Sequence, residues 1–200
     1  MIAVLISIRP KWCEKIMSGE KTIEVRKTRP KLIPPFKCYI YCTQSADMLW
    51  ILKERERYLH PDKIADVFKA AKCGGAYRGN GKIIGEFVCD DIFERIVRVG
   101  AICEPPKYCI CDWNMDCTPL DTLLADACLT KDELEKYLDG GVGYGWHISN
   151  LRIYDHPRDL WEFAGLQRET EFGLAPKPIT RPPQSWRYVE EELWLSLIHI

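Results

Sequence analysis

The sequence predicts an α+β domain built on a small β-barrel, with packed helices and a Cys-rich insertion. Short apolar or alternating segments give about six or seven strands, and amphipathic segments give three or four helices. These elements neither alternate as βαβ units nor repeat along the chain. A chain of 200 residues, 46% hydrophobic and 28% charged, is long enough for one core of this size. We therefore expect one domain over residues 1–200.

The first elements predicted are a strand, a helix and two further strands. An apolar strand over Ile2–Ile8 precedes a helix that begins at Pro10 and ends before Gly19. Polar and apolar residues alternate from Thr22 to Thr28, so we expect one face of this strand to be core and the other to be polar. The aromatic and β-branched segment Lys37–Cys42 predicts the next strand.

The central segments predict helices, a turn and a loop. Residues 47–59 and 61–71 have helical patterns, and the second has apolar side chains at i, i+3, i+4 and i+7. The Asn80–Gly81 pair predicts a turn before a strand that begins at Lys82 and continues towards Val99. Residues 101–118 are rich in Cys and Pro without periodicity, which predicts an inserted loop.

The last third predicts a helix and two strands. Thr130 and Glu133 form a capping box ahead of a helix that ends near Gly140. The segments Tyr144–Tyr154 and Trp186–Leu197 predict the last two strands.

The net charge of −1 conceals a basic N-terminal region. Residues 1–37 carry nine Lys and Arg against three Glu, net +6, whereas residues 38–200 carry 19 Lys and Arg against 26 Asp and Glu, net −7. The chain as a whole is not a strongly basic nucleic-acid protein, but a local field can still bind an anion. The predicted anion site therefore lies in the N-terminal region.

The densest group of functional side chains is the segment GEKTIEVR, residues 19–26. It resembles the GxKxxExR signature of the ASCH family, relatives of the PUA-like RNA-binding barrels, and its flanks resemble stand-alone ASCH proteins of bacteria and their phages. The resemblance implies a PUA-like barrel. It also implies RNA binding, nucleolytic cleavage in some members, or hydrolysis of N4-acetylcytidine to cytidine and acetate in one branch. The residues that match the signature are Gly19, Lys21, Glu24 and Arg26.

The residue types in this segment suit two kinds of chemistry. Glu24 can accept hydrogen bonds from a base, and Arg26 can hold Glu24 or a phosphate. If the site is hydrolytic, Glu24 or Glu86 is the candidate general base for water, and Lys21 stabilises the oxyanion. The acetylcytidine hydrolases resemble GxKTxTxR, and Glu24 replaces their second Thr. The alternative is that Glu24 and Arg26 form only a surface or barrel-closing ion pair.

A basic rim surrounds the signature and includes an aromatic residue, Trp12. Lys and Arg side chains hold phosphates, and an aromatic ring can stack an unpaired base. Trp12 is equally explained as a core contact of its helix, and His147 as a structural histidine. The basic rim comprises Arg9, Lys11, Lys15, Lys27, Arg29, Lys31 and Lys37. The predicted ligand-binding residues are Arg9, Trp12, Gly19, Lys21, Thr22, Glu24, Arg26, Lys27, Trp146, His147 and Ser149.

Ten cysteines give a density below that of small disulfide scaffolds. With no secretory leader and no apolar run near roughly 18 residues, we expect a reduced, cytoplasmic protein without a membrane partner. A Cx5CxCx5C cluster can hold zinc, but it lacks a CxxC knuckle, and a reduced Cys is also a small buried hydrophobe. We therefore expect no cofactor, with zinc as the alternative. The cluster consists of Cys103, Cys109, Cys111 and Cys117.

The function predicted from these observations is RNA or nucleotide binding in a basic cleft around the signature. The first alternative is a hydrolase of a modified pyrimidine nucleoside, or a ribonuclease. The second alternative is a zinc-stapled interaction domain. The three differ in whether Lys21 binds or catalyses, and in whether the Cys cluster holds a metal.

Overall fold

A computed structural model describes residues 1–52, 75–99, 107–111, 117–118, 120–166 and 177–190. Strands dominate this part of the chain, and three helices accompany them. In order, the elements are β1 Ile2–Ile8, α1 Pro10–Met17, β2 Ile23–Arg26, β3 Phe36–Cys42, β4 Trp50–Leu52, β5 Ala76–Arg78, β6 Ile83–Cys89, β7 Ile92–Val99, β8 Lys107–Cys111, β9 Cys117–Thr118, α2 Leu120–Asp126, α3 Lys131–Leu138, β10 Gly143–His147, β11 Ser149–Arg158 and β12 Trp186–Glu190. A short 3₁₀ helix spans Leu160–Glu162.

Contacts divide the chain into two compact units. The first unit comprises the described residues of Met1–Ser18, Phe36–Phe87 and Leu151–Ile200. The second unit comprises those of Gly19–Pro35 and Val88–Asn150. The signature segment GEKTIEVR therefore belongs to the second unit, and the single-domain organisation stays a prediction.

The first unit is built on a five-stranded sheet with the order β11-β6-β3-β1-β12. β1 runs parallel to β3 and antiparallel to β12, and it is buried from Ala3 to Ile8, as is typical of an interior strand. Tyr39 and Phe163 pack edge to face at 4.9 Å in the core of this unit. β4 and β5 pair as a separate two-stranded sheet.

The second unit is built on a five-stranded sheet with the order β2-β10-β7-β8-β9, so β2 is an edge strand. Its core contains Ile23 and Val25 of β2, packed with Ile96 of β7 and with Leu134 and Leu138 of α3. These contacts hold α3 against the strand that carries the signature.

The sequence correctly predicted the α+β class, but the barrel stays a prediction. In the described part of the chain, both large sheets have two ends, and no sheet closes on itself. The predicted β1, α1, β2 and β3 are confirmed, as is the helix after Thr130. The predicted helix over 61–71 and the strand residues beyond Glu190 lie outside the described residues.

Two predicted elements of the central segments are wrong because strand pairing overrides the local pattern. Trp50–Leu52, predicted as helix, pairs with Ala76–Arg78 as strand. Within the predicted inserted loop over 101–118, Lys107–Cys111 pairs with β7, and Cys117–Thr118 pairs with β8. Pairing with a partner strand creates these elements, and local periodicity does not reveal that pairing.

Two predicted long strands are each divided in two. The strand from Lys82 towards Val99 breaks after Cys89, where the Asp91 carboxylate accepts the backbone N–H of Ile92 at 2.8 Å. An Asp side chain that captures a neighbouring N–H competes with the sheet for it. The strand Tyr144–Tyr154 breaks at Ile148, so that β10 and β11 join different sheets. The helix α2 was not predicted from the sequence.

The capping box orients α3. The Thr130 hydroxyl accepts from the Glu133 N–H at 3.1 Å, and the Glu133 carboxylate accepts from the Thr130 N–H at 3.0 Å. We expect Thr130→Ala to lower the free energy of unfolding by about 1 kcal/mol, because it removes one cap of a helix that packs on β2. Chemical denaturation measures this change. Thr130→Ser keeps the hydroxyl and is expected to match the wild type; equal losses in both variants would contradict a capping effect.

Candidate functional site

The signature segment begins at Gly19, whose φ of +76° lies in the left-handed region. A Cβ at this position would meet no atom within 4 Å, so backbone conformation, and not lack of space, favours glycine. Thr22 follows, half-buried, and its backbone N–H donates to Asp126 O at 2.8 Å while its carbonyl accepts from Ile148. The start of β2 is therefore attached by its backbone to the end of α2 and to the residue after β10.

Lys21 is buried, with 3% of its surface exposed, and its ammonium has three acceptors in the second unit. Nζ lies 2.8 Å from Ile23 O, 2.7 Å from Ala127 O and 3.3 Å from Glu24 Oε2. An ammonium has three N–H donors, and these three acceptors account for all of them. Lys21 thus joins β2 to the residue after α2, and no donor is left over for a substrate oxyanion in this arrangement.

Glu24 lies between two cations. Its Oε1 accepts from Arg26 Nη2 at 2.8 Å, and its Oε2 faces Lys21. The side chains of Lys21, Glu24 and Arg26 are only 2%, 8% and 9% exposed. We call these three residues the buried ion network. Their burial rules out the surface ion pair that the sequence left open.

The face of β2 that was predicted to be polar is buried. The alternation predicted a core face and a polar face, yet all four residues Ile23–Arg26 are buried. Desolvating charges costs several kcal/mol per ion, so each charge needs its partners in place, and removing one partner of a buried pair typically costs about 3–5 kcal/mol. The network therefore constrains the local structure tightly.

Trp146 of β10 projects from the same face of the sheet as Glu24, but it is buried and cannot contact a ligand. It stands opposite Glu24 in the antiparallel register of β10 and β2, and Tyr144 stands opposite Arg26. Directly opposed residues project from the same face of a sheet. Trp146 is 0% exposed, so its ring packs beside the ion network and does not stack a base in this conformation.

Lys27, the first residue after β2, contacts Tyr137 of α3, and this contact was not predicted from the sequence. Lys27 is exposed, and its Nζ lies 5.5 Å from the centroid of the Tyr137 ring. The backbone N–H of Lys27 donates to the phenol oxygen, and burial raises the pKa of Tyr137. Tyr137 lies between two core leucines of α3, and its position in the helical pattern gave no signal of this contact.

His147, the last residue of β10, and Ser149, the first residue of β11, form a separate cluster with Asp90. His147 Nδ1 lies 2.6 Å from Asp90 Oδ1, and Ser149 Oγ donates to Val88 O at 2.9 Å. His147 stands opposite Ile23, one residue along the strand from Trp146, so the two side chains project from opposite faces. Trp146, His147 and Ser149 were all predicted to bind the ligand, but the consecutive residues Trp146 and His147 cannot share a face of the strand.

The cysteine beside this cluster is not a nucleophile at neutral pH. Burial, together with the neighbouring Asp90 and Asp91, raises the pKa of Cys89 to about 12. Its Sγ donates to Asp91 O at 3.3 Å. Cys89 therefore stays a protonated thiol and packs as a small buried side chain.

Arg9 and Trp12 belong to the first unit. Arg9 is exposed and precedes α1, and Trp12 is half-buried with Lys11 Nζ 4.3 Å from its ring centroid. Cys13, and not Trp12, joins Ile16 in the buried stripe of α1. The Trp12 ring is thus partly accessible on the first unit and already contacts a cation.

Glu86, the alternative general base, also belongs to the first unit. The Tyr154 hydroxyl donates to Glu86 Oε2 at 2.6 Å, and Glu86 Oε1 lies 3.9 Å from Lys37 Nζ and 3.8 Å from Arg152 Nη1. Burial and this hydrogen bond raise the pKa of Tyr154 strongly, so its phenol remains a donor. Glu86 is therefore a carboxylate held by a phenol and two cations.

The structure brings two members of the Cys cluster together. Cys111 and Cys117 are register partners across β8 and β9, whereas Cys103 lies outside the described residues. Within the described ranges, no group of three or more His, Cys, Asp or Glu side chains is arranged to hold a metal. The zinc alternative stays a prediction.

No helix among the described residues is long and apolar enough to cross a membrane.

The Asp90–His147 pair predicts a measurable pH dependence. The hydrogen bond from His147 holds the pKa of Asp90 below its ordinary value of 3.8. The pair therefore stabilises the fold above this ordinary value, and the contribution is lost as pH falls through the lowered pKa. An NMR titration of the Asp90 carboxyl carbon is expected to give a midpoint below 3.8, and His147→Ala, which removes the donor, should raise it. An identical midpoint in both proteins would contradict the coupling.

Comparisons with known proteins bear on the fold. No protein-family model matches the chain, and no curated protein matches it significantly. Solved structures do match. A tyrosine-to-phenylalanine variant of ZmASCH from Zymomonas mobilis has a TM-score of 0.50 and 15% identity, and covers 99% of this chain and 97% of its own. A serine-to-alanine variant of the same protein has a TM-score of 0.51 and 16% identity, and covers 98% and 94%.

These matches extend over nearly the whole chain, so they include both units and not only the signature segment. At 15–16% identity they bear on the arrangement of the backbone and not on shared chemistry. They agree with the resemblance that GxKxxExR suggested from the sequence. This chain therefore has the fold of the ASCH-domain proteins.

Proposed function

We propose that this protein binds RNA or a nucleotide through the exposed basic segment that follows β2. The segment comprises Lys27, Arg29 and Lys31, all exposed. Between Arg26 and Phe36 the chain carries three cations and no acidic residue. This concentration of positive charge beside the buried ion network is the observation that carries the proposal.

The ion network supports the proposal by fixing the start of the basic segment. Glu24 holds Arg26 at the last position of β2, and Lys21 holds Glu24 and the carbonyls of Ile23 and Ala127. A loop that begins from a rigid, buried anchor loses less conformational entropy when it binds a ligand. We assign Lys21 and Glu24 to positioning, and the exposed cations to contact with phosphate.

A nucleic-acid backbone suits this surface better than a neutral ligand does. The whole chain has a net charge of −1, so attraction to an anion depends on the local field of the basic segment. Lys and Arg that neutralise phosphates release counterions, which makes binding strongly dependent on salt. The ASCH fold is consistent with this class of ligand.

Hydrolysis at Lys21 is less well supported than binding. All three ammonium donors of Lys21 have acceptors within the protein, and both Glu24 oxygens face cations. A general base and an oxyanion donor would both have to leave these partners before acting on a substrate. Release of acetate from N4-acetylcytidine by the purified protein would favour the hydrolase alternative.

Charge reversal in the basic segment tests the proposal. We expect Lys27→Glu combined with Arg29→Glu to weaken binding of single-stranded RNA and to reduce the salt dependence. For single strands, the slope of log K against log salt becomes shallower by about 0.7 for each phosphate that the protein no longer neutralises. Fluorescence anisotropy over a series of salt concentrations measures both quantities.

The control is Lys131→Glu in the same unit, which reverses one charge outside the basic segment. Lys131 is exposed at the first position of α3, where an acidic residue suits the helix dipole. This variant is expected to bind as the wild type does. If the control and the double variant lose the same RNA affinity, binding depends on the overall charge and not on the basic segment, which contradicts the proposal. Unchanged RNA affinity in the double variant would also contradict it.

Replacement of Lys21 tests its positioning role. We expect Lys21→Met to lower the free energy of unfolding by about 3–5 kcal/mol, because it leaves Glu24 and two backbone carbonyls without the ammonium. Glu20→Gln, at the exposed neighbouring position, is expected to change it by less than about 0.5 kcal/mol. Urea denaturation measures both. A Lys21→Met protein as stable as the wild type would contradict this role.

A further inference from the structure

The Tyr137 ring is attached to the start of the basic segment. Its phenol oxygen accepts from the backbone N–H of Lys27, and the Lys27 ammonium lies 5.5 Å from the ring centroid. That distance is within the range of a cation–π contact. The two contacts fix the ring from its hydroxyl edge and leave it beside an exposed cation.

The exposure of Tyr137 distinguishes it from its neighbours on α3. Leu134 and Leu138 are 0% and 2% exposed and fill the core of the second unit, whereas Tyr137 is 38% exposed. The helix is thus already anchored by its leucines. More than a third of the Tyr137 surface therefore stays accessible to solvent.

The other tryptophan and tyrosine side chains near the ion network are less accessible. Trp146 is fully buried opposite Glu24, and Tyr144, opposite Arg26, is half-buried. Tyr137 also lies close enough to Glu24 and Arg26 for both charges to act on its phenol. The phenol is uncharged at neutral pH, and burial raises its pKa further, so the ring does not repel an anionic ligand. Among these rings, Tyr137 combines exposure with proximity to the basic segment.

We propose that Tyr137 is a stacking platform for an unpaired nucleobase, while Lys27 contacts the adjoining phosphate. This inference rests on the proposed function and narrows it: the ligand is a single strand. In a duplex each base is already stacked and paired, so no base face is free for the ring. Single-stranded RNA is therefore expected to bind more tightly than duplex RNA of the same length.

The test compares strands with and without bases. Loss of one base–aromatic stack corresponds to a decrease in affinity of about fivefold to 150-fold. We expect Tyr137→Leu to show this decrease with single-stranded oligouridine, and no decrease with an abasic ribose-phosphate strand of equal length. Tyr137→Phe keeps the ring and is expected to bind oligouridine far better than Tyr137→Leu does. Fluorescence anisotropy at constant salt measures the affinity of each protein for each strand.

A second measurement needs no variant. A strand containing 2-aminopurine is expected to lose fluorescence on binding to the wild-type protein, because stacking quenches this base, and duplex RNA is expected to compete poorly. Unquenched fluorescence in the bound strand would overturn the stacking role, as would equal losses for oligouridine and the abasic strand with Tyr137→Leu. If wild-type protein binds neither oligouridine nor the abasic strand, the proposed function itself fails. If it binds both and Tyr137→Leu changes neither affinity, only the stacking role fails.

Discussion

A buried carboxylate between two buried cations is the constraint on which the second unit depends. Glu24 meets Arg26 at 2.8 Å and Lys21 at 3.3 Å, and Lys21 continues to two backbone carbonyls. Since each charge has left water, each needs its partners in place. The network therefore fixes the geometry of β2 and its attachment to the residue after α2. By fixing β2, the network also determines the direction in which the basic segment leaves the sheet.

The buried residues that stabilise β2 are therefore different from the exposed residues that a ligand can contact. The signature side chains face inward and satisfy one another, whereas Lys27, the first residue after β2, is exposed. The proposed role of the signature is to keep the basic segment in one conformation before the ligand arrives. A sequence motif can mark a binding region in this way although its own charges are occupied within the protein.

Strand alternation divides the remaining candidates. Trp146 and His147 are consecutive, and consecutive residues of a strand project from opposite faces. Trp146 packs opposite Glu24, and His147 pairs with Asp90. Proximity in sequence therefore did not imply a common site. Tyr137, which is distant in sequence from β2, reaches Lys27 instead, because Leu134 and Leu138 pack its helix against the core residues of that strand.

The sequence by itself determined the features that follow local rules: the alternation of β2, the capping box at Thr130, the end of α1 before Gly19 and the basic segment. Only the tertiary structure decided that the polar face of β2 is buried, that Cys111 lies opposite Cys117, and that Tyr137 contacts Lys27. The physical reason is that caps, turns and alternation depend on neighbouring residues. Burial, register and contacts between elements depend instead on which strands pair and which helices pack against them, so no local pattern encodes them.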